Sequence, residues 1–124
     1  MTGYSLKQWC SMTQHEDVVR IRHMLRNARE AVAITAGKDF GHLKEDRILE
    51  LALIRLIEVI GEAAARVSLS GQKQHSSIPW AQVIGMRNRL IHGYDQVDLS
   101  VLWDTVQEDL PPLIAELEKI LERS

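Results

Sequence analysis

Cysteine is all but absent from this chain. Cys10 is the only one, so no disulfide can close within the chain, no CxxC metal or redox pair exists, and a reducing compartment is the natural home. Long apolar runs are missing too, since no stretch approaches the ~18 residues a membrane-spanning helix needs. The opening residues, MTGYSLKQWCSMTQHED, lack the charged region and apolar run of a secretory signal. The chain is therefore expected to be cytoplasmic, with no membrane partner. Chemistry narrows in the same way. His15, His23, His42, His75 and His92 are scattered, with no HExxH and no i,i+4 pair, so no metal site is expected. No GxSxG elbow offers a serine nucleophile, no glycine-rich loop cradles phosphate, and no cofactor is expected.

What is present suits one globular domain. Of 124 residues, 45% are hydrophobic and 26% charged, which argues against extended disorder and allows a single core. The net charge of −2 hides an asymmetry. Residues 1–94 carry 13 Lys/Arg against 9 Asp/Glu, a balance of +4, while residues 95–124 carry 2 against 8, a balance of −6. Charge alone neither demands nor excludes a nucleic-acid partner, and the acidic part reads as a solvated helix face.

Periodicity supplies the architecture. Val18, Ile21, Leu25, Ala28 and Val32 fall at helical spacing, with Arg20, Arg22, Arg26 and Arg29 covering the other side. Gly37 predicts the stop, and residues 38–45, of mixed polarity, predict a loop. Asp46 caps a central buried helix over residues 47–68, which is almost continuously apolar and free of proline. Arg55, Glu58, Glu62 and Arg66 form one polar stripe on it, with Glu62 and Arg66 in a favourable i,i+4 order. Such a stripe faces water or a site. Residues 69–77 predict a turn, and Ser77 caps a third helix from about Pro79 to Ile91 or His92, closed by Gly93. Asp98 caps a fourth, whose leucines at 99, 102, 110, 113, 117 and 121 share a face with Val106. Pro111 and Pro112 predict a kink or restart near Asp109. The sum is an all-α, antiparallel bundle of four to five helices over residues 16–124. Residues 1–15 form an N-terminal extension without clear periodicity, in which Leu6, Trp9 and Met12 suit one short helical turn.

The segment IPWAQVIGMRNRLIHGYDQVD, residues 78–98, gathers Arg87, Asn88, His92 and Tyr94 around one predicted helix end. At ~100° per residue Asn88 and His92 share a face. Arg87 and His92 stand about 140° apart, and meet only through the reach of arginine, fraying at Gly93, or pairing across a dimer axis. The bland explanation is that Arg and His near a helix C-terminus are favoured by the macrodipole alone.

Context points further. Arg87, His92 and Tyr94, with four residues between the first two and one between the last two, begin within GMRN and precede a Val-Asp helix start. This pattern closely resembles the motif of the HEPN superfamily, specifically its HepT-like toxins. The resemblance extends to Ile60-Gly61-Glu62-Ala63-Ala64, Ile78-Pro79-Trp80, Val101-Leu102-Trp103 and Asp109-Leu110-Pro111, and covers nearly everything from Glu16 to Leu121. It implies a metal-independent endoribonuclease in a type VII-like toxin–antitoxin pair, active as a homodimer with two motifs facing one cleft. It further implies neutralisation by an MntA-like minimal nucleotidyltransferase antitoxin, with Tyr94 as the acceptor for AMP.

The chemistry agrees with that role. RNA carries its own nucleophile, the 2′-hydroxyl, so cleavage needs a proton carrier and a cation beside phosphorus. Imidazole titrates near neutrality and guanidinium presents a planar fork to phosphate, which suits His92 and Arg87 to those tasks. Asn88 is a candidate to hold His92 or a phosphate. Glu62 is a candidate to orient Arg87 from the neighbouring helix, with a purely structural role as its alternative. Tyr94 has no necessary part in cleavage and otherwise reads as a turn tyrosine covering a helix end. Trp80 and Trp103 read as core or dimer packing, with base stacking as the alternative. Apart from the nuclease, the same residues suit an inert HEPN adapter that binds a nucleotidyltransferase or a nucleotide. A homodimer is expected, because the helices carry more apolar surface than one small bundle can hide.

Overall fold

A computed structural model describes residues 6–92 and 96–123, the side chains of 6–13 and of His92 excepted. The architecture is the expected all-α antiparallel bundle, built on α1 (Leu6–Thr35), α3 (Arg47–Ala65) and α8 (Leu110–Arg123). α1 starts at Leu6 rather than near Val18, because residues 6–17 hold neither glycine nor proline and nothing stops propagation of the helix. Ile21, Met24, Leu25, Ala28 and Ala31 of α1 are buried against Leu53, Ile57, Ile60 and Ala64 of α3 and Leu113, Leu117 and Ile120 of α8 in one core. Gly37, at φ 75°, closes α1 as expected.

Two short helices replace predicted irregular segments. α2 (Phe40–Glu45) forms because Asp39 accepts the His42 amide at 3.1 Å while His42 Nδ1 accepts the Asp39 amide at 3.0 Å. The His42 amide also holds the Asp39 carboxyl below its usual range. Asp46 caps α3 as predicted, accepting from the Leu49 amide at 3.0 Å. α3 ends at Ala65, short of Ser68, because Ser68 caps α4 (Leu69–Gln74) through the Gly71 amide. Asp17 of α1 fastens this corner: its carboxylate accepts from the Ser68 amide at 2.9 Å and from the Ser68 hydroxyl at 2.6 Å. That contact, between the N-terminal half of α1 and the end of α3, sets the two helices antiparallel. At the opposite end Gln107 donates to Thr35 at 3.0 Å.

The third predicted helix is two short ones, α5 (Trp80–Ile84) and α6 (Met86–Leu90), divided at Gly85. Ser77 is not the cap, Pro79 standing at that position; beside Glu116 of α8, the Ser77 hydroxyl holds that carboxyl below its usual range. Beyond α6 the chain is extended. β1 (Ile91–His92) pairs antiparallel with β2 (Gln96–Val97), Ile91 opposite Val97 and His92 opposite Gln96. The Asp98 amide takes the Leu90 carbonyl at 2.7 Å, a partner a continuing helix would have supplied. Asp98 caps α7 (Leu99–Asp104) as predicted. The expected disturbance at Pro111 and Pro112 is a π-helical turn, Thr105–Asp109, leading directly into α8. Neither proline has an amide to donate to the preceding turn, and the wider turn accommodates carbonyls left without an α-helical partner.

Candidate functional site

α6 is short, and its register is fixed by two buried anchors one turn apart, Met86 and Leu90. Arg87, Asn88 and Arg89 therefore face outward. What brings α5 and α6 close to α3 is Gly61: a Cβ there would stand 3.2 Å from the Ile84 carbonyl oxygen and 3.4 Å from that of Val83. The chain then runs antiparallel to α3, so that moving three residues on from Ile84 reaches Arg87 opposite Glu58, three residues back from Gly61.

The result is an ion pair between Arg87 Nε and Glu58 Oε2 at 3.0 Å. The Glu58 side chain is 26% exposed and that of Arg87 51%, so the carboxylate is the sheltered, fixed partner and the guanidinium still opens to solvent. One carboxylate engages at most two of the five guanidinium N–H groups, leaving donors for a phosphate. Arg89, about 200° further round the helix, points away. It stands 4.0 Å from Asp109 beside a cleft of about 690 Å3 between α5, α6 and α8.

The candidate residues fall into place unevenly. Glu62 does not reach Arg87. It pairs with Arg55 at 3.6 Å rather than with Arg66, and Glu58 holds the arginine instead. The polar stripe of α3 thus does face α6, one turn earlier than Glu62. Asn88 is exposed on α6. The 140° separation of Arg87 and His92 on a helix no longer applies, because His92 lies on β1. Gly93 and Tyr94, with the roles expected of them, lie outside the described residues, as does the side chain of His92. Trp80 is packed partly into the core, its indole N–H donating to the Gln72 and His75 carbonyls at 3.0 Å each. Trp103 is likewise half-buried against the core.

Glu58 belongs to the polar stripe of α3, but the periodicity of that stripe does not name its partner. Gly61 is the signal that finds it, since a glycine in a buried helix marks where a neighbouring backbone comes close. On the same face of α3, Ile48 is 80% and Leu51 50% exposed, in line with Arg55, Glu58 and Glu62 at spacings of three and four. Among the described residues no group of three or more His, Cys, Asp or Glu is placed to hold a metal ion. No described helix is long and apolar enough to cross a membrane.

The chain is similar to known proteins over most of its length. The model of the family described as ribonuclease HepT-like matches residues 24–120. A protein of Caldanaerobacter subterraneus subsp. tengcongensis, named a candidate RNase, is 30% identical over 103 residues, 83% of this chain and 92% of its own length. Another so named, from Methanocaldococcus jannaschii, is 32% identical over 95 residues, 77% of this chain and 87% of its own. A candidate ribonuclease HepT of Thermococcus cleftensis is 43% identical over 75 residues, 60% of this chain and 68% of its own. No solved structure matches.

Proposed function

The chain belongs to the HepT-like ribonuclease family, and on that premise we propose that it is a metal-independent endoribonuclease and the toxin of a type VII-like toxin–antitoxin pair. The observation that carries this reading is the solvent-facing Arg87 on α6, tethered by Glu58 immediately before the strand that bears His92. Arg87 offers fixed positive charge to the phosphate oxygens on which negative charge develops. His92 takes the proton of the 2′-hydroxyl as that oxygen attacks phosphorus, and the leaving 5′-oxygen takes up a proton from water as the P–O5′ bond breaks. The products are a 2′,3′-cyclic phosphate and a 5′-hydroxyl. Two such motifs share one cleft in a homodimer, and the exposed Ile48 and Leu51, in line with Glu58, supply an apolar surface for that association.

Regulation follows at Tyr94. A partner nucleotidyltransferase of the MntA-like kind transfers AMP from ATP to the phenol oxygen and releases pyrophosphate. The added bulk and negative charge exclude RNA phosphate from the cleft.

Purified protein incubated with total RNA, with and without EDTA, tests the reading. Cleavage that persists in EDTA and leaves 5′-hydroxyl ends is expected. His92→Ala abolishes it, and Arg87→Ala reduces it by roughly 10² to 10³-fold. Intact RNA in the presence of folded protein would leave the inert adapter in its place. With the partner and Mg-ATP, intact mass should rise by one AMP, and Tyr94→Phe should stay active yet resist the partner.

A further inference from the structure

We propose that the face of α1 carrying Arg22, Arg26 and Arg29 is a second RNA-binding surface, which grips the phosphate backbone of the substrate away from the site of cleavage. The proposal rests on RNA being the substrate. At 100° and 1.5 Å per residue the three guanidinium stems fall within about 60° of arc and spread over about 10 Å of helix, a run of several phosphates rather than one. With His23 they line a groove of about 550 Å3 floored by Leu25 and by Leu121 of α8. Apolar floor and cationic wall together suit a nucleotide strand, whose sugars and bases are apolar on their faces and whose backbone is anionic.

The charge of this face is largely uncompensated. No carboxylate occurs between residues 18 and 29. On the α8 side Glu118 pairs with Arg29 at 3.0 Å, and Glu122 lines the adjoining hollow. Among the described residues Arg22 and Arg26 have no ion-pair partner. Like charges one turn apart on a helix repel each other, so stability alone does not favour this arrangement. All three cations are arginines, whose planar fork fits phosphate better than the point charge of lysine. They gather in a chain whose net charge is −2, so the patch is not a by-product of general basicity. α1 packs on α3 and α8, whereas α6 packs on α3 and α7. The stripe therefore stands apart from Arg87 and contributes to holding RNA, not to the bond-breaking step.

The test uses the full chain with Arg22→Glu/Arg26→Glu, and Arg22→Gln/Arg26→Gln as a milder pair that removes charge without reversing it. Circular dichroism confirms folding. On a long single-stranded RNA, KM should rise about tenfold or more with kcat within twofold, while cleavage of a dinucleotide, too short to reach the stripe, is unchanged. In a His92→Ala background, which keeps Arg87 but does not cut, fluorescence anisotropy against salt should show the slope of log K on log salt flattened by roughly 1.4, two phosphate contacts at ~0.7 each. Unchanged KM and slope in folded variants would make the stripe a solvated face and overturn the inference while cleavage itself stands. Unchanged RNA binding with lost binding of a protein partner would overturn it in favour of a protein-docking surface. Wild-type protein that binds RNA without cutting it removes the nuclease reading alone, and the binding arm still decides the stripe. Wild-type protein that neither binds nor cuts RNA overturns both.

Discussion

Arg87 and Glu58 divide a task that neither performs alone: one carries charge to the solvent-facing side of α6, and the other, better sheltered, fixes where that charge stands. Glu58→Gln keeps the shape and removes the charge of the tether. It should lower cleavage on the order of tenfold, within the ~10² that misplacement of a catalytic group costs. Glu62→Gln, which disturbs only the pair with Arg55, should have a clearly smaller effect. Steady-state rates on one RNA compare the two, and a larger loss at Glu62 would show that Glu58 is not the positioning group. The proposed motif residues stand out in sequence because their order and spacing are local. Which carboxylate serves the arginine was not, because that depends on how far α6 slides along α3, a matter settled by Gly61 and the buried Met86 and Leu90.

Among the elements, the long helices were legible from their periodicity, as were the caps at Asp46 and Asp98 and the stop at Gly37. The one-turn helices α2 and α4 were not, since a single turn holds no repeat and depends on side-chain caps such as Asp39 with His42. The predicted third helix failed at Gly85 and again at Leu90, where a hairpin offers the backbone other partners. The close approach of α5 to α3 makes Gly61→Ala a sharp probe. The added methyl would press on the Ile84 carbonyl, a backbone atom that cannot swing aside. It should destabilise the domain by about 1–3 kcal/mol and displace α6, lowering cleavage more than the stability change alone explains. Urea denaturation followed by rate measurement on the folded fraction separates the two effects. Full stability with full activity would mean that α5 and α6 are not held by this contact.

For the molecule as a whole, Ile48 and Leu51 turn toward water on the face that also carries Glu58, and they make the oligomeric state a direct question. Light scattering should give twice the 14.1 kDa of one chain, and Ile48→Glu/Leu51→Glu should give a monomer that has lost cleavage. An active monomer would remove the shared cleft. Another property lies in the path of the backbone. Gln14 and His15 of α1 line one cleft with Arg123 at the end of α8, so the polypeptide returns to the pole of the bundle from which it set out. Connectivity is then separable from contact. A circular permutant that joins Arg123 to Gln14 through a short Gly/Ser linker, leaves out residues 1–13, and opens between the exposed Lys38 and Asp39, keeps every core neighbour among the described side chains and the cap of α2. It should retain its helix content and its nuclease activity. If it does not fold, the order in which the helices are connected matters to this bundle as much as the surfaces they share.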